Sequence, residues 1–431
     1  MKKIFFLTFS FIILSSGYVF PQDAVIREGE NLSLDRCVEI ALKYHPDRLY
    51  YNFSASAKEA LWEQAKKEYY PRVDLSSTGY TRYNKIYKND DDVYTTITPN
   101  RNSYAAGVTL TQKIYDFGKR EATVATSRYY YESALADIDD NTRTVINAVR
   151  EAYYELLRTK RERAVNEEKV EKYRLHSEKA RLFYQAGTKS RYDVTKAEVD
   201  LSNAKLDLLQ SENDLQLAVV SLNNAMGIFE APVYDLVDNL EYRKAGINLE
   251  EALTQAYERR PDLRSLTQQL EAARQALEAA RREYYPSING TAGYTTDGSE
   301  YPLSSGWNVG INLSLNLFEG FATKNKVAEK NAEIKKIQAK IEAQKLQINM
   351  EVRKAWLNMA KASQSITDTE LQVRQATENL ELANLKYEAG LNTPLEVTDA
   401  TVSYGDAKLK HIKSLYEYKK GEANLEKAIG R

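Results

Sequence analysis

The side chains able to do covalent or metal chemistry are few and scattered. His45, His176 and His411 are the only histidines among 431 residues, and they fall in separate segments. A zinc centre or a hydrolytic triad needs such groups to converge, so each histidine is expected to be a surface or packing residue. Asp90, Asp91 and Asp92 are consecutive, whereas a calcium loop spaces its ligands and turns on a glycine; they are expected to form a solvated loop. The single cysteine, Cys37, permits no internal disulfide and lies too far past the N-terminal apolar run to be a lipidated terminus. It reads as a bland, partly buried thiol. The chain carries neither a phosphate loop nor a dinucleotide fingerprint. No cofactor, metal site or enzymatic activity is expected, and any driving energy must come from partners.

Lysine and arginine number 60 against 61 aspartate and glutamate, a formal net charge of −1, which offers no basic field for a nucleic-acid backbone. Residues 1–22 place two lysines ahead of an apolar run from Ile4 to Leu14, with the length and flanks of a secretory signal rather than of a membrane span. The mature chain is expected to begin near Gln22 and to leave the cytoplasm. No later run suits a transmembrane helix, and the mean hydropathy is −0.57. Contact with a membrane would have to be made by strands.

The elements that must position anything functional come in two sets. KKEYYPRVDLSS at 66–77 recurs as RREYYPSINGTA at 281–292. A gap-free alignment at an offset of 215 carries 34–71 onto 249–286, and another at 203 carries 107–227 onto 310–430. Such self-similarity implies a tandem duplication, with one repeat over 23–227 and a second over 228–431. The offset falls by 215 − 203 = 12 residues, which places a longer loop between the strands of the first repeat.

At each Tyr-Tyr-Pro junction the periodicity changes from helical to alternating, because proline ends the helix. Hairpins are expected over about 72–117 and 287–319. In the clearest strand, WNVGINLSLNLF, Val309, Ile311, Leu313, Leu315 and Leu317 share one side while Asn308, Gly310, Asn312, Ser314 and Asn316 share the other. The rest of the chain is long polar helix with no second layer to cover such a sheet, so lipid or a partner chain must do so. Four strands cannot close a barrel, since membrane barrels need about 8 or more and tolerate no open edge. The chain must oligomerise to use them.

Residues 118–187 as helix would span roughly 105 Å and 188–227 roughly 60 Å. A helix at 46–70, stacked end to end on the shorter one, nearly restores the balance, and 261–285 repeats the arrangement. In the second repeat Ile348, Ala355, Ala362, Ala376 and Ala383 alternate with Val352, Met359, Ile366, Val373, Leu380 and Tyr387 in a coiled-coil seam whose polar gap is Thr369. The fold class is mainly α with transmembrane β: helical columns carrying strands at one end and an Ala-Gly turn at the other, near 186–192 and 389–395.

The turns FYQAGTKSRYDVTKAEVDL and KYEAGLNTPLEVTDATVSY, together with LDRCVEIALKYHPD and the doubled hairpins, resemble the TolC family of outer-membrane efflux proteins over nearly all of the mature chain. The resemblance implies a homotrimer, with a twelve-stranded outer-membrane barrel continued by a helical tunnel through the periplasm of a Gram-negative bacterium. It implies an exit duct for efflux or type I secretion, opened by a periplasmic adaptor and an inner-membrane pump. The adaptor would meet the tip turns, Ala186, Gly187 and Thr188 and Ala389, Gly390 and Leu391. A closed tip would use Asp193 and Tyr387, with Asn392 standing where the family has an arginine and removing a charge-assisted donor. Glu396 and Asp399 match an acidic entrance ring that would favour cations. Tyrosines near strand ends, Tyr69, Tyr70, Tyr80, Tyr83, Tyr284, Tyr285 and Tyr294, are candidates for interfacial belts. A secreted coiled-coil fibre or adhesin would share the heptads but has no use for a duplicated amphipathic hairpin, and a periplasmic adaptor would carry one long helical hairpin flanked by small β domains rather than two full copies with strands at the helix ends.

Overall fold

A computed structural model describes residues 25–82, 101–243, 246–391 and 393–431. Residues 1–22, Tyr83, Asp90, Asp91, Asp92 and Asn392 therefore lie outside the described residues. In chain order the elements are β1 (Asn31–Leu32), α1 (Leu34–Tyr44), α2 (Pro46–Ala65), β2 (Arg72–Arg82), β3 (Arg101–Tyr115), α3 (Lys119–Gln185) and α4 (Arg191–Met226). There follow β4 (Asp235–Leu236), α5 (Leu249–Arg259), α6 (Pro261–Arg281), β5 (Ser287–Gly298), β6 (Ser304–Ser314), α7 (Ala322–Glu388) and α8 (Pro394–Ala428). The helices α1 to α4 contain 11, 20, 67 and 36 residues, and α5 to α8 contain 11, 21, 67 and 35. The same series is thus written twice.

Local chemistry sets the boundaries. Pro46 and Pro261 occupy the first turns of α2 and α6, where a missing N–H costs nothing. A 3-10 turn follows each helix, and then Tyr70 and Tyr285 are extended (φ −105° and −100°), as a residue before proline must be. The prolines Pro71 and Pro286 thereby convert helix to strand.

Helix α3 packs against α2 and α4 on one side and against α6 and α8 on the other; α7 packs against α6 and α8. Four columns result, in the order α4 with α2, α3, α8 with α6, and α7. End-to-end stacking is visible at two glycines. A Cβ on Gly227, just past α4, would lie 2.6 Å from the His45 Cα that opens α2, and one on Gly430 would lie 2.9 Å from the Arg259 carbonyl carbon. Only glycine allows these helix ends to abut, and both sit at φ +74°. The 67 residues of α3 span about 100 Å, against about 84 Å for the 36 and 20 residues of α4 and α2 before their junction is counted.

The hairpins join into one antiparallel sheet of order β2-β3-β5-β6, so each column continues into one strand and the two orders agree. The register puts Val73 opposite Leu110, Leu110 opposite Ala292 and Ala292 opposite Val309. One face therefore carries Val73, Leu75, Val108, Leu110, Ile288, Tyr294, Trp307, Val309, Ile311 and Leu313; the other carries Asp74, Thr109, Thr111, Asn289, Thr291, Asn308 and Asn312. Leu75, Trp307, Val309 and Ile311 are strongly exposed. Strand β6 ends at Ser314, opposite Ser287, because the partner strand begins only after Pro286. Leu315 and Leu317 accordingly lie beyond the paired strand in this chain, a correction to the sequence pattern.

The main core lies midway along the columns. There α1, α5, the β1–β4 ladder and the linker after α4 wrap the helices: the Tyr153 hydroxyl donates to the Val237 carbonyl (2.6 Å), and Trp356 Nε1 donates to Ile247 (3.3 Å). Cys37 is wholly rather than partly buried here, and burial pushes its thiol up to about 12.

Candidate functional site

Two places combine exposure with specific geometry: the helical tips and the open margins of the sheet and column layer. At the first tip α3 ends at Gln185 and Ala186 caps it; Gly187 takes φ +74°. The amides of Gly187 and Thr188 donate to Tyr184 and Phe183 carbonyls, both at 3.0 Å, which is the Schellman closure that a left-handed residue makes possible. The second tip repeats it with Ala389 and Gly390 (φ +75°), whose following residue Leu391 donates to Lys386 at 2.9 Å. A Cβ at either glycine would meet nothing within 4 Å, so positive φ, not crowding, is what requires glycine.

Two of the acidic residues near the tips, Asp193 and Glu396, prove to be cap groups. Ser190 and Asp193 form a reciprocal capping box on α4, Asp193 Oδ2 accepting from the Ser190 amide at 2.9 Å. Thr393 and Glu396 do the same on α8, at 3.5 Å. The offset of 203 carries Asp193 onto Glu396, so the proposed gate acid and the proposed ring acid occupy one position of the repeat. The S-x-x-D and T-x-x-E spellings announce such boxes and were the overlooked signal. Glu396 and Asp399 are both exposed and one turn apart on α8.

Between the tips lies a buried cross-contact. The Tyr387 ring, from the end of α7, packs 5.2 Å from His176 and 5.9 Å from Phe183 of α3, with Lys189 Nζ 4.9 Å from its centroid. Its hydroxyl is buried and finds no hydrogen-bond partner among the described residues. Burial pushes the phenol pKa up and the nearby Asp193 carboxylate adds to the shift, yet no hydrogen bond joins Asp193 and Tyr387 within the chain among the described residues. His176 is buried, which pushes its pKa down, opposed by Asp200. Asp200 is itself buried and accepts from Lys196 (2.6 Å) and from Thr398 of α8 (2.9 Å). His411 on α8 bonds Thr369, the polar gap of the seam (3.2 Å), and Ser414 bonds the same hydroxyl (2.9 Å). His45 caps α2. His176, Phe183, Lys189, Asp200 and Thr398 were not legible as a cluster, because they meet only through the tertiary approach of two helix pairs.

On the sheet, Val309, Ile311 and Leu313 share one exposed face, and Tyr69, Tyr70, Tyr80, Tyr284, Tyr285 and Tyr294 are exposed at or near strand ends. No helix among the described residues is long and apolar enough to cross a membrane.

Comparison with known proteins fixes the relationship. The family model described as outer membrane efflux protein matches residues 38–228 and again 252–431. The chain belongs to the outer membrane efflux protein family. It is 24% identical over 390 residues to protein CyaE of Bordetella pertussis, covering 89% of this chain and 81% of that protein. It is 22% identical over 398 residues to the outer membrane protein TolC of Salmonella enteritidis, covering 88% and 78%. Its fold matches the solved open state of the Neisseria gonorrhoeae MtrE outer membrane channel at a TM-score of 0.77, with 18% identity over 96% of this chain and 93% of that one.

Proposed function

We propose that three copies of this chain, each the product of an internal duplication, close into a channel that serves as the outer-membrane exit duct of an efflux or type I secretion system. The observation that carries this reading is the shared order of columns and strands. The layer α4/α2, α3, α8/α6, α7 and the sheet β2-β3-β5-β6 both stop at open margins on the same two sides. An exposed sheet with one apolar and one polar face suits a barrel with lipid outside and water inside, and three copies of four strands make twelve. The helical columns then form a tunnel in the periplasm. Val309, Ile311 and Leu313 face lipid, and the exposed tyrosines sit at its interfaces.

The tip turns at Gly187 and Gly390 are the surfaces for a periplasmic adaptor, which couples the duct to an inner-membrane pump. The chain itself does no covalent chemistry; solute passes when the tips spread. Asp193 and Tyr387 hold the resting tip, with Asn392 in place of a charged donor, and Glu396 and Asp399 from three copies ring the entrance and favour cations. Single-channel conductance of the purified protein in a planar bilayer tests this. Low conductance that rises with Asp193→Ala is expected, as is loss of cation preference and of multivalent-cation block in the Glu396→Ala, Asp399→Ala double variant. Absence of any channel would refute the duct, and unchanged selectivity would refute the ring.

A further inference from the structure

Where α8 ends against α6, the layer of columns opens into a cleft of about 530 Å³. Asp140 of α3, Arg260 and Asp262 at the start of α6, Glu351 and Lys354 of α7 and Lys427 of α8 line it, and every other lining residue except Ala355 and Ala428 is polar. Part of this charge is settled internally. Arg260 donates to Asp262 (2.6 Å) and to Glu351 (2.5 Å), and Gln344 donates to Asp262 (2.6 Å). The carboxylate of Asp140 and the ammonium groups of Lys354 and Lys427, by contrast, make no ion pair or hydrogen bond among the described residues. Burial raises the Asp140 pKa and the Asp262 carboxylate adds to the shift, while Arg260 and Lys427 oppose it. Two unpaired signs thus face one cleft without meeting. The stacked junction does not demand them. The first repeat abuts its helices in the same way at Gly227 and His45, yet Asn224 stands there for Lys427, Glu151 for Lys354, His45 for Arg260, Ala148 for Glu351 and Ala343 for Asp140; Asp47 alone keeps its counterpart, Asp262.

Heptad spacing shows which side the cleft faces. Asn349 donates to Tyr257 of α5, Trp356 donates to Ile247, and Ser363 bonds Tyr242 of the segment between β4 and α5. These α7 positions are seven apart, so α5 and that segment cover one flank of the seam. Gln347 and Lys354 precede Asn349 and Trp356 by two residues, about 200° of helix, and line the cleft on the opposite flank. Lys326, three heptads before Gln347, lines a second cleft with Ser287, Ser314 and Asn316, which belong to the polar face of the sheet. The cleft therefore opens on the side of that polar face, the inside of a duct.

We propose that the cleft binds small zwitterions in passage through the duct, amino acids or short peptides whose ammonium rests on Asp140 and whose carboxylate rests on Lys427 and Lys354. Its place on the pathway rests on the duct reading above; its chemistry does not. The volume lies within the roughly 300–1,000 Å³ of small-molecule sites, and the polar lining gives an apolar solute little surface to bury against. A zwitterion answers both unpaired signs with charge-assisted contacts, whereas a simple cation or anion leaves one of them unanswered.

Triglycine, which has both end charges and no side chain, is the probe. Equilibrium dialysis against the full-length protein in detergent is expected to show it bound, with affinity about tenfold lower in Asp140→Asn and in Lys427→Gln. Asp139→Asn, whose parent carboxylate pairs with Arg264 instead, should bind like the parent. Triglycine amide and N-acetyltriglycine each lack one end charge and should bind the parent about tenfold more weakly than triglycine; this series needs no variant. No binding, equal binding of the three probes, or unchanged affinity in both variants overturns the site. In a planar bilayer, triglycine should interrupt the current of the parent more often than that of Asp140→Asn, and equal interruption overturns the placement on the pathway. Absence of any channel, with the dialysis result intact, overturns the duct and leaves the zwitterion site standing.

Discussion

The two tips are spelled alike and packed differently. Each ends a 67-residue helix on Ala-Gly and restarts with a capping box, and the tyrosine three residues before each glycine is the same. Tyr387 is 2% exposed and Tyr184 is 45% exposed. The difference is made by the neighbours. Tyr387 lies against His176 and Phe183 of the first tip, while Asn379 and Lys386, the equivalents of those residues, offer Tyr184 no aromatic cradle. Local spelling sets how a helix turns, and the contact between helix pairs sets which tip is held.

The largest effect should separate the two tyrosines. Tyr387→Ala removes a buried ring and is expected to destabilise the tip by about 3–5 kcal/mol, seen as faster hydrogen exchange over 380–400. Tyr184→Ala should stay within about 0.5 kcal/mol. Equal effects would erase the asymmetry. Tyr387→Phe sharpens the test: the hydroxyl has no partner among the described residues, so its loss should leave stability unchanged or raised. A fall in stability would reveal a partner in the assembled channel.

Next in size is the buried tie between the tips. Thr398→Val leaves one oxygen of Asp200 without its donor, with Lys196 still bonded to the other; a cost of about 1–3 kcal/mol is expected. Thermal unfolding followed alongside tip exchange would locate it, and an effect confined to the mid-column core would count against a tie at the tip.

Much of this was legible in advance. The apolar stripe of β6, the column lengths and the Ala-Gly turns all follow from periodicity and from the demands of glycine and proline. Joining of the hairpins through β3 and β5 was not, because pairing between residues as far apart in sequence as Tyr104 and Gly298 leaves no local mark. The end of β6 was missed because Leu315 and Leu317 continue the alternation after the partner strand has run out. The spacing of Asp193 from Ser190 and of Glu396 from Thr393 already spells a cap in the sequence, whereas their charge alone does not distinguish a cap from a ring.

Those two acids give a smaller, matched comparison. Asp193→Ala and Glu396→Ala each remove an N-terminal box and the dipole complement beside it, and each should cost about 0.5–1 kcal/mol of helix stability. If capping were their whole role, the two variants would also conduct alike in a bilayer. A larger rise in conductance for Asp193→Ala, at equal stability cost, would isolate a gating contribution.

The smallest effect concerns pH. Burial holds His176 below its ordinary value of 6.5, opposed by Asp200 and Asp193 and assisted by Lys179, with Tyr387 stacked on its ring. The unfolded tip therefore takes up a proton that the folded tip resists. His176 packing is fully favourable above 6.5 and loses stability as pH falls through that value toward the folded pKa. Burial also lowers His411, with Glu370 opposing, so global stability should fall from both groups. Exchange at 380–400 discriminates, since His411 sits in the α7–α8 seam at Thr369, away from Tyr387. Acidification from pH 7.5 to 5.5 should lower the protection of the tip amides, each rate being divided by the intrinsic exchange rate at that pH, in the parent and in His411→Gln but not in His176→Gln; a loss of protection that survives His176→Gln would place the sensitivity in the carboxylates at the tips.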